Sequence, residues 1–194
     1  GETHEAQTFV PGSSRNAILE SNMPDKTLKD SLKSVVFAYK NLLGEGVEAV
    51  VRYRFDDGSW NEAKTNSSIA IGKDFSSGLH HLEAICGTDS LKHDSVVFSL
   101  HDKKPVTATH DWFYVSARQF PSDGSPVYVQ VASTDAGNRM YYTILSGSKV
   151  VESGSKVFNN NVFTRALKYD DKYGDGITIA LAWVAEGRLY EHNV

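Results

Sequence analysis

The stretch GVEAVVRYRFDDGSW, residues 46–60, decides the fold class of this 194-residue chain. Apolar residues stand at every second position, namely Val47, Ala49, Val51, Tyr53 and Phe55. Charged residues stand between them, namely Glu48, Arg52 and Arg54. This alternation predicts a half-buried β-strand, because successive side chains of a strand point to opposite faces. The Asp-Asp-Gly that follows is typical of a tight turn.

Similar patterns flank this stretch. SGLHHLEAICGTDSLKHDSVVFSL, residues 77–100, predicts two strands joined by a short polar connection, with Val96, Phe98 and Leu100 on the buried face of the second. Upstream, MPDKTLKDSLKSVVFAYKNLL fits either a helical stripe or a strand. Its β-branched and aromatic residues favour a strand over residues 34–42.

Six further strand-like segments follow residue 110, namely DWFYVSAR, SPVYVQVAS, RMYYTILSG, KVVESGSKVF, VFTRALKYD and ITIALAWVAEGRLYEHN. Turn signals such as TDAGN and DDKYGDG separate them about every 8 to 12 residues. This spacing predicts an all-β fold of two tandem antiparallel β-sandwich domains of the Ig-like type. We expect core positions at Val51, Tyr53, Phe55, Val96 and Phe98 in the first domain, and at Val129, Val131, Tyr142, Ile144, Ile179 and Leu181 in the second.

The segment HDKKPVTATHD, residues 101–111, interrupts the strand pattern. It is polar and has no period, so we interpret residues 101–110 as a solvated linker. The predicted organisation is an extended leader over residues 1–31, a first sandwich over 32–104 and a second over 105–194. The chain opens on a glycine that reads as a tag remnant, and we expect it to be a piece of a longer protein.

Composition excludes several classes of function. The formal net charge is -4 and the pI is about 6.0, so no basic field attracts nucleic acid or an anionic membrane. The longest apolar runs are far shorter than the roughly 20 residues that a membrane helix needs, so no membrane insertion is expected. A single cysteine excludes an internal disulfide framework.

GLHHLEAIC, residues 78–86, raises the question of a catalytic or metal-binding cluster. In an extended strand His80 and Cys86 lie roughly 20 Å apart, too far for a Cys–His dyad. His81 and Glu83 share a face about 7 Å apart, but a metal site needs further ligands. The structural interpretation puts His80 at the mouth of the sandwich, His81 and Glu83 in solvent, and Cys86 in the core as a small hydrophobic residue.

Three other groups of residues can also be interpreted as purely structural. His101, Asp102, His110 and Asp111 belong to the linker, and a triad cannot be inferred from composition. YDDKYGDGI carries Asp170, Asp171 and Asp175, but Tyr173 and Ala182 stand where an EF-hand needs oxygen ligands, so an Asp- and Gly-rich turn is favoured over a calcium site of another type. Six aromatic residues can either line a sugar or protein surface or belong to the core, namely Trp60, Trp112, Tyr114, Tyr128, Tyr141 and Tyr190.

We therefore predict no enzyme activity, with no catalytic residue, no cofactor-binding residue and no metal ligand. No cofactor is expected. The remaining question is what a non-catalytic β-sandwich chain does.

Three stretches resemble a known family: SVVFAYKNLLGEGVEAVVRYRF, SSGLHHLEAICGTDSLKHDSVVFSL and DWFYVSARQFPSDGSPVYVQVASTDAGNRMYYTILSGSKVVESG. Over residues 33–192 the chain resembles macroglobulin-like domains of bacterial α2-macroglobulin family proteins, the large envelope proteins of the gut Bacteroides type. The resemblance implies seven-stranded sandwiches strung along a protein that traps or blocks proteases. The family's thioester motif is Cys-Gly-Glu-Gln, whereas this chain has Cys86-Gly87-Thr88-Asp89, so Cys86 lacks the glutamine that a thioester requires.

Two hypotheses follow. The resemblance implies a structural and interaction fragment of an exported, periplasmic or cell-envelope protein, whose partners are neighbouring macroglobulin-like domains and, through the full-length protein, proteases. The alternative is a tandem Ig-like module for adhesion or carbohydrate binding. A strip of exposed coplanar aromatic residues favours the alternative, and a buried aromatic set with a rigid contact between domains favours the first hypothesis.

Overall fold

Strands form nearly all the regular structure of residues 17–72 and 75–194, the part of the chain that the computed structural model describes. The predicted all-β sandwich fold is confirmed. Contacts divide the chain into two compact units, with the division between Phe98 and Ser99. The predicted boundaries at residues 32, 104 and 105 remain a proposal about folding units. Among the described residues, no helix is both long and apolar enough to span a membrane.

The first unit contains the strands β1 (Ala17–Ser21), β2 (Lys26–Leu28), β3 (Ser34–Asn41), β4 (Val50–Phe55), β5 (Asn61–Lys64), β6 (Ser68–Ala70), β7 (Gly78–Cys86) and β8 (Asp89–Phe98). They form one sheet in the order β1-β3-β6 and a second in the order β2-β8-β7-β4-β5. All pairs are antiparallel except β2 with β8. A short 3-10 helix, Lys29–Ser31, follows β2.

Both sheets of the first unit contribute to one core. Its fully buried members include Val35 and Phe37 from β3, Val51 from β4 and Val97 from β8. Tyr53 and Phe55, which were predicted as core, are partly buried and pack against this cluster. The strand predicted over residues 34–42 is confirmed as β3, Ser34–Asn41.

One face assignment in β8 was wrong. Val97 is 0% exposed and lies in the core cluster, whereas Val96 is only half-buried. The inward positions of β8 are Asp89, Leu91, His93, Ser95 and Val97. Because three of these five residues are polar, the alternation of apolar and polar residues is not visible in the sequence of this strand. Phe98 is buried as expected, but it points to the face opposite Val97.

The leader predicted over residues 1–31 is only partly described. Residues 1–16 lie outside the described residues. Residues 17–31 are not an extended leader, because β1 pairs with β3 and β2 pairs with β8. Leu19 and Met23 are buried in the core of the first unit, which is why this segment is held in the sandwich.

The second unit contains the strands β9 (Trp112–Val115), β10 (Val127–Ser146), β11 (Lys149–Leu167), β12 (Thr178–Ala185) and β13 (Arg188–Asn193). Their order is β11-β10-β12-β13, and β9 pairs with the first half of β10. The second half of β10 pairs with β12, and β11 accompanies β10 along both halves. Five strands therefore form this sandwich in place of the seven that the family resemblance implies.

The β10–β11 hairpin bends so that its two halves lie in two layers around one core. Val129 and Val131 point inward in the first half of β10, whereas Met140 and Ile144 point inward in the second. The inward positions thus change from odd to even numbers. Two register shifts of β10 against β11, between residues 133 and 139, produce this change, as β-bulges do.

Residues with left-handed backbone mark the bend in both strands. Gly137 in β10 has φ 85°, and Asn160 in β11 has φ 51°. Glycine and asparagine adopt this conformation at low cost. The segment TDAGN was predicted as a turn between two strands, and this was wrong, because the chain continues through it as one bulged strand. The predicted core residues of the second unit are buried or packed against its core.

The segment from Ser99 to Asp111 contains no strand but is not a free linker. Val162 N–H donates to the carbonyl of Lys103, and the Thr134 N–H donates to the carbonyl of Thr109. The buried Gln130 amide donates to the carbonyl of Ser99 at 3.0 Å. These bonds attach the segment to the second unit, so residues 101–110 are not a free linker, although none of them is buried.

Candidate functional site

The predicted alternation of side chains along β7 is confirmed. His80 and Cys86 lie on the buried face, and His81 and Glu83 lie on the outer face. Burial raises the pKa of the Cys86 thiol, which keeps the sulfur protonated and unreactive. The sequence therefore places these residues correctly, and the strand does not assemble them into one cluster.

His80 has a structural role at the edge of the first core. Its Nδ1 lies 2.5 Å from a carboxylate oxygen of Asp56, and its Nε2 lies 2.6 Å from the carbonyl oxygen of Ser76. The ring stacks on Phe75 with a centroid distance of 4.0 Å. The same Asp56 accepts the backbone N–H of His81 at 2.7 Å. These contacts fix the β4–β5 turn against β7 and leave no nitrogen of His80 for a substrate.

On the outer face of β7 each flagged side chain has a cross-strand partner. The imidazole of His81 pairs with the carboxylate of Asp94, which raises the pKa of His81. The guanidinium of Arg54 donates to Glu83 at 2.7 Å, which lowers the pKa of that carboxyl. Exposed pairs of this type contribute little to stability and are ordinary on a solvated sheet.

The histidines and aspartates of residues 101–111 form separate pairs in the second unit. His110 Nδ1 lies 2.8 Å from Asp135, a hydrogen bond that raises the pKa of His110. Asp111 lies 2.6 Å from Nε2 of His192, whose ring stacks on Phe113. The Asp102 carboxylate accepts the backbone N–H of Ser99, and the side chain of His101 is exposed. These side chains anchor the segment and do not converge on one point.

The acidic segment around residue 171 is a capped turn. Asp170 accepts the backbone N–H of Lys172, and a 3-10 helix, Asp171–Tyr173, follows. Asp175 is exposed in the next turn. Within the described residues, no three His, Cys, Asp or Glu side chains lie together as metal ligands would.

The six flagged aromatic residues divide between interior and surface. Trp112 is buried, and Trp60, Tyr114, Tyr128 and Tyr190 are half-buried. Trp60 lies under the guanidinium groups of Arg52 and Arg54, and Tyr190 stacks on the buried Trp183. Tyr141 alone among the six is exposed, at 62%. The six do not form an exposed coplanar strip.

Tyr141 belongs to a surface that sequence reasoning missed, which we call the β10–β13 outer face. It consists of the outward residues Arg139, Tyr141, Thr143 and Leu145 of β10, Val150, Ser153, Ser155 and Val157 of β11, Thr178, Ala180, Ala182 and Val184 of β12, and Leu189, Glu191 and Asn193 of β13. Two of these fifteen residues are charged. Five apolar members are exposed by 40% to 62%, namely Val157, Val150, Val184, Leu189 and Tyr141.

The outer face of the first unit differs sharply in charge. Its outward residues are Val50, Arg52 and Arg54 of β4, Glu62 and Lys64 of β5, Leu79, His81, Glu83 and Ile85 of β7, and Ser90, Lys92, Asp94 and Val96 of β8. Seven of these thirteen are Asp, Glu, Lys or Arg, and most have opposite charges across the strands. That is the usual pattern of an antiparallel sheet with one solvated face. The β10–β13 outer face lacks it.

The register determines which residues form the β10–β13 outer face. Tyr141 pairs with Ala182, and Val184 pairs with Leu189, so these four side chains are neighbours on one side of the sheet. The opposite side carries Leu181 and Trp183 in the core. The predicted core positions Tyr142 and Ile144 already imply that Tyr141 points outward, but its neighbours on β12 and β13 follow only from the strand pairing.

A groove of about 640 Å³ opens at the edge of the second unit, where core residues such as Ile144 and Leu181 meet polar side chains. Glu152 accepts hydrogen bonds there from Tyr142 and from both terminal nitrogens of Arg165. The Arg165 guanidinium lowers the pKa of Glu152 to about 2. Tyr142 and Arg165, which line the groove, thus both donate to the Glu152 carboxylate.

No family model matches the chain, and no curated protein sequence matches it. Among solved structures it is similar to the crystal structure of invasin, a bacterial integrin-binding protein, with 13% identity and a TM-score of 0.33. The match covers 91% of this chain and 38% of the invasin chain, so this chain spans well under half of that protein's length. It is also similar to the human OSCAR ligand-binding domain, with 8% identity, a TM-score of 0.28, and coverage of 92% of this chain and 96% of that one.

Proposed function

We propose that this chain is a non-catalytic interaction module whose β10–β13 outer face binds the surface of a protein. The observation that carries the proposal is the charge difference between the two outer faces, two of fifteen residues against seven of thirteen. The central parts of protein interfaces are depleted in charged residues and enriched in Tyr, Met and Arg. A contiguous exposed apolar patch is also a recognised mark of an interaction site.

A protein partner fits this face better than a carbohydrate. Tyr141 is the single aromatic residue of the face, and sugar rings are commonly held by several aromatic planes. The cross-strand neighbours of Tyr141, Ser155 and Ala182, are small and leave its ring accessible to another apolar surface. A non-catalytic role is supported because His80, His81, His110 and His192 each have a carboxylate partner within the fold.

Site-specific photo-crosslinking tests the proposal. A benzophenone amino acid at position 141 is compared with the same group at position 64, an exposed site on the outer face of the first unit, in an extract of the source cells. We expect a defined adduct from position 141 and none from position 64. The adduct's protein is then identified, purified and titrated against the chain.

The titration decides the outcome. Val184→Lys puts a charge beside Leu189 and close to Tyr141, and it is expected to weaken binding of the purified partner by at least about tenfold. Arg52→Glu, on the charged outer face of the first unit, should leave the affinity unchanged. Equal crosslinking at both positions, or an affinity that Val184→Lys does not change, contradicts the proposal.

For the parent protein we carry forward the macroglobulin interpretation as a proposal. It rests on the three stretches that resemble the family, and it implies an exported, periplasmic or cell-envelope protein in which neighbouring sandwich domains are the first partners. The buried aromatic residues Phe37, Phe158 and Trp183 support it in one respect, the burial of an aromatic set. Sequencing the flanking parts of the gene tests it, since a thioester or bait segment there supports protease defence and further adhesion-type repeats oppose it.

A further inference from the structure

We propose that the β10–β13 outer face binds the same face of a second copy of this chain and so forms a symmetric dimer. This inference rests on the proposed function, because it assumes that the face is an interface and names its occupant. Closed two-fold dimers are the commonest homo-oligomers, and their interfaces must be self-complementary. The face meets that requirement in its charges and in its apolar residues.

The two charges of the face have opposite signs and no ionic partner within the described residues. Arg139 lies on β10 and Glu191 lies on β13, with β12 between them. Along the strand direction, the two residues are offset by one row of side chains. Strand spacing and rise per residue put their Cα atoms about 12 Å apart, so they do not pair with each other. Arg139 donates one hydrogen bond, to the hydroxyl of Ser155 at 2.9 Å.

A two-fold axis in the plane of the interface can satisfy both charges. The axis must cross the line from Arg139 to Glu191 at its midpoint and at right angles. Each Arg139 then meets Glu191 of the second copy, and the dimer contains this pair twice. The axis then runs diagonally across the sheet. With the same strand spacing and rise per residue, the Cα positions of Leu189, Val184 and Tyr141 lie within about 2 Å of the axis when it is projected onto the sheet. One axis therefore pairs the charges and packs the apolar residues against each other.

The size of the face predicts a weak dimer. Four strands over about eight residues give roughly 500 Å² per copy, which is below the area of a standard stable interface. The net charge of -4 on each copy adds a small repulsion. We therefore expect a dissociation constant on the order of 10–100 μM, at the weak end for a specific complex.

Sedimentation equilibrium of the 194-residue chain from about 10 μM to about 1 mM tests the proposal. The mass is expected to rise from 21.4 kDa toward twice that value. Arg139→Glu and Glu191→Arg each create two like-charge contacts per dimer, and each should weaken the dimer by at least about tenfold. The double variant restores both pairs with inverted signs and should recover the wild-type affinity.

Two controls complete the design. Arg118→Glu makes the same charge change at an exposed site of the same unit outside the face, and it should leave the dimer unchanged. Val184→Lys should abolish the dimer while circular dichroism and the melting temperature show a folded chain. A wild-type mass of 21.4 kDa at every concentration overturns the proposal. A dimer that persists in both Arg139→Glu and Val184→Lys also overturns it. The same holds if Arg118→Glu weakens the dimer as much as Arg139→Glu does, or if the double variant does not recover the wild-type affinity.

The outcomes also separate this inference from the proposed function. A chain that is monomeric but crosslinks from position 141 to another protein keeps the interface role and loses only the second copy as occupant. A chain that neither dimerises nor crosslinks from position 141 loses both.

Discussion

Gly154 shows how one missing side chain determines the edge of the second unit. A Cβ at this position would lie 2.7–2.8 Å from the ring and hydroxyl of Tyr142, closer than non-bonded atoms tolerate. The ring of Tyr142 therefore lies across the backbone of β11, and its hydroxyl donates to Glu152 at 3.0 Å.

We expect Gly154→Ala to displace Tyr142 and to lower the free energy of unfolding by about 1–3 kcal/mol, as other overpacked sites do. Urea denaturation measures the change. Gly46→Ala is the control, because a Cβ there meets no atom within 4 Å. Equal stabilities for the two variants would show that Tyr142 moves aside freely.

The Glu152–Arg165 pair predicts a specific dependence of stability on pH. The pKa of Glu152 falls from its ordinary value of 4.5 to about 2 in the folded chain. Because the folded value is the lower one, the pair stabilises the fold above pH about 4.5, and this contribution is lost as the pH falls through about 2. Glu152→Gln should therefore be less stable than wild type at pH 7, with the difference shrinking toward pH 2.

Unfolding midpoints of both proteins over this pH range measure the effect. Glu48→Gln serves as control, since Glu48 is exposed and makes no ion pair among the described residues. A stability difference between wild type and Glu152→Gln that stays constant from pH 7 to pH 2 would mean that the ion pair does not contribute.

The two adjacent valines of β8 test the corrected face assignment. Val97→Ala removes methyl groups from a fully buried side chain and should cost about 2 kcal/mol. Val96→Ala removes the same atoms from the outer face and should cost less than about 1 kcal/mol. Chemical denaturation of the two variants gives the comparison, and the reverse order would restore the assignment made from the sequence.

At the scale of elements, the bend of the β10–β11 hairpin depends on residues that tolerate a left-handed backbone. Asn160 has φ 51°. Asn160→Val should lower the unfolding free energy by about 1–2 kcal/mol, because a β-branched residue resists this conformation. Asn160→Gly should be nearly neutral. Thermal melts of both variants measure the difference. A Val variant as stable as the Gly variant would contradict the requirement for a left-handed backbone at residue 160.

Strands with strict alternation could be predicted from the sequence, and bulged strands could not. The pattern of β4 and β7 assigns each side chain to the correct face, because no bulge interrupts it. In β10 the segment TDAGN contains the same residues that a hairpin turn uses, so composition does not distinguish a bulge from a reversal of the chain. Only pairing with β11 along both halves resolves it.

The candidate site was missed for a different reason. Tyr141 was named as a residue that can line a surface, but its neighbours on β12 and β13 are fixed by strand pairing that the sequence does not encode locally. The faces of His80, His81 and Cys86 on β7 were predicted correctly, because strict alternation along a strand fixes them.

At the scale of the whole molecule, the division at Phe98 and Ser99 predicts two folding units. A fragment of residues 99–194 should unfold cooperatively with the circular dichroism of a β protein. A fragment of residues 105–194 loses the carbonyls of Ser99 and Lys103 that Gln130 and Val162 bind, and it should be less stable by about 1–3 kcal/mol.

Denaturation of the two fragments, compared with the full chain, checks this prediction. Equal stability of the two would support the boundary at residue 105 that was expected from the linker pattern. A fragment 99–194 that is unfolded in buffer would show that the second unit does not fold by itself.

The bent hairpin has a mechanical consequence. In a sandwich whose layers are joined only by loops, tension can slide one layer over the other. Here two backbones, β10 and β11, run without interruption from one layer into the other, so a shearing load passes through covalent bonds and through the ladder between these strands. The second unit is therefore expected to yield to force as one body, and its outer face keeps its shape until the whole unit fails.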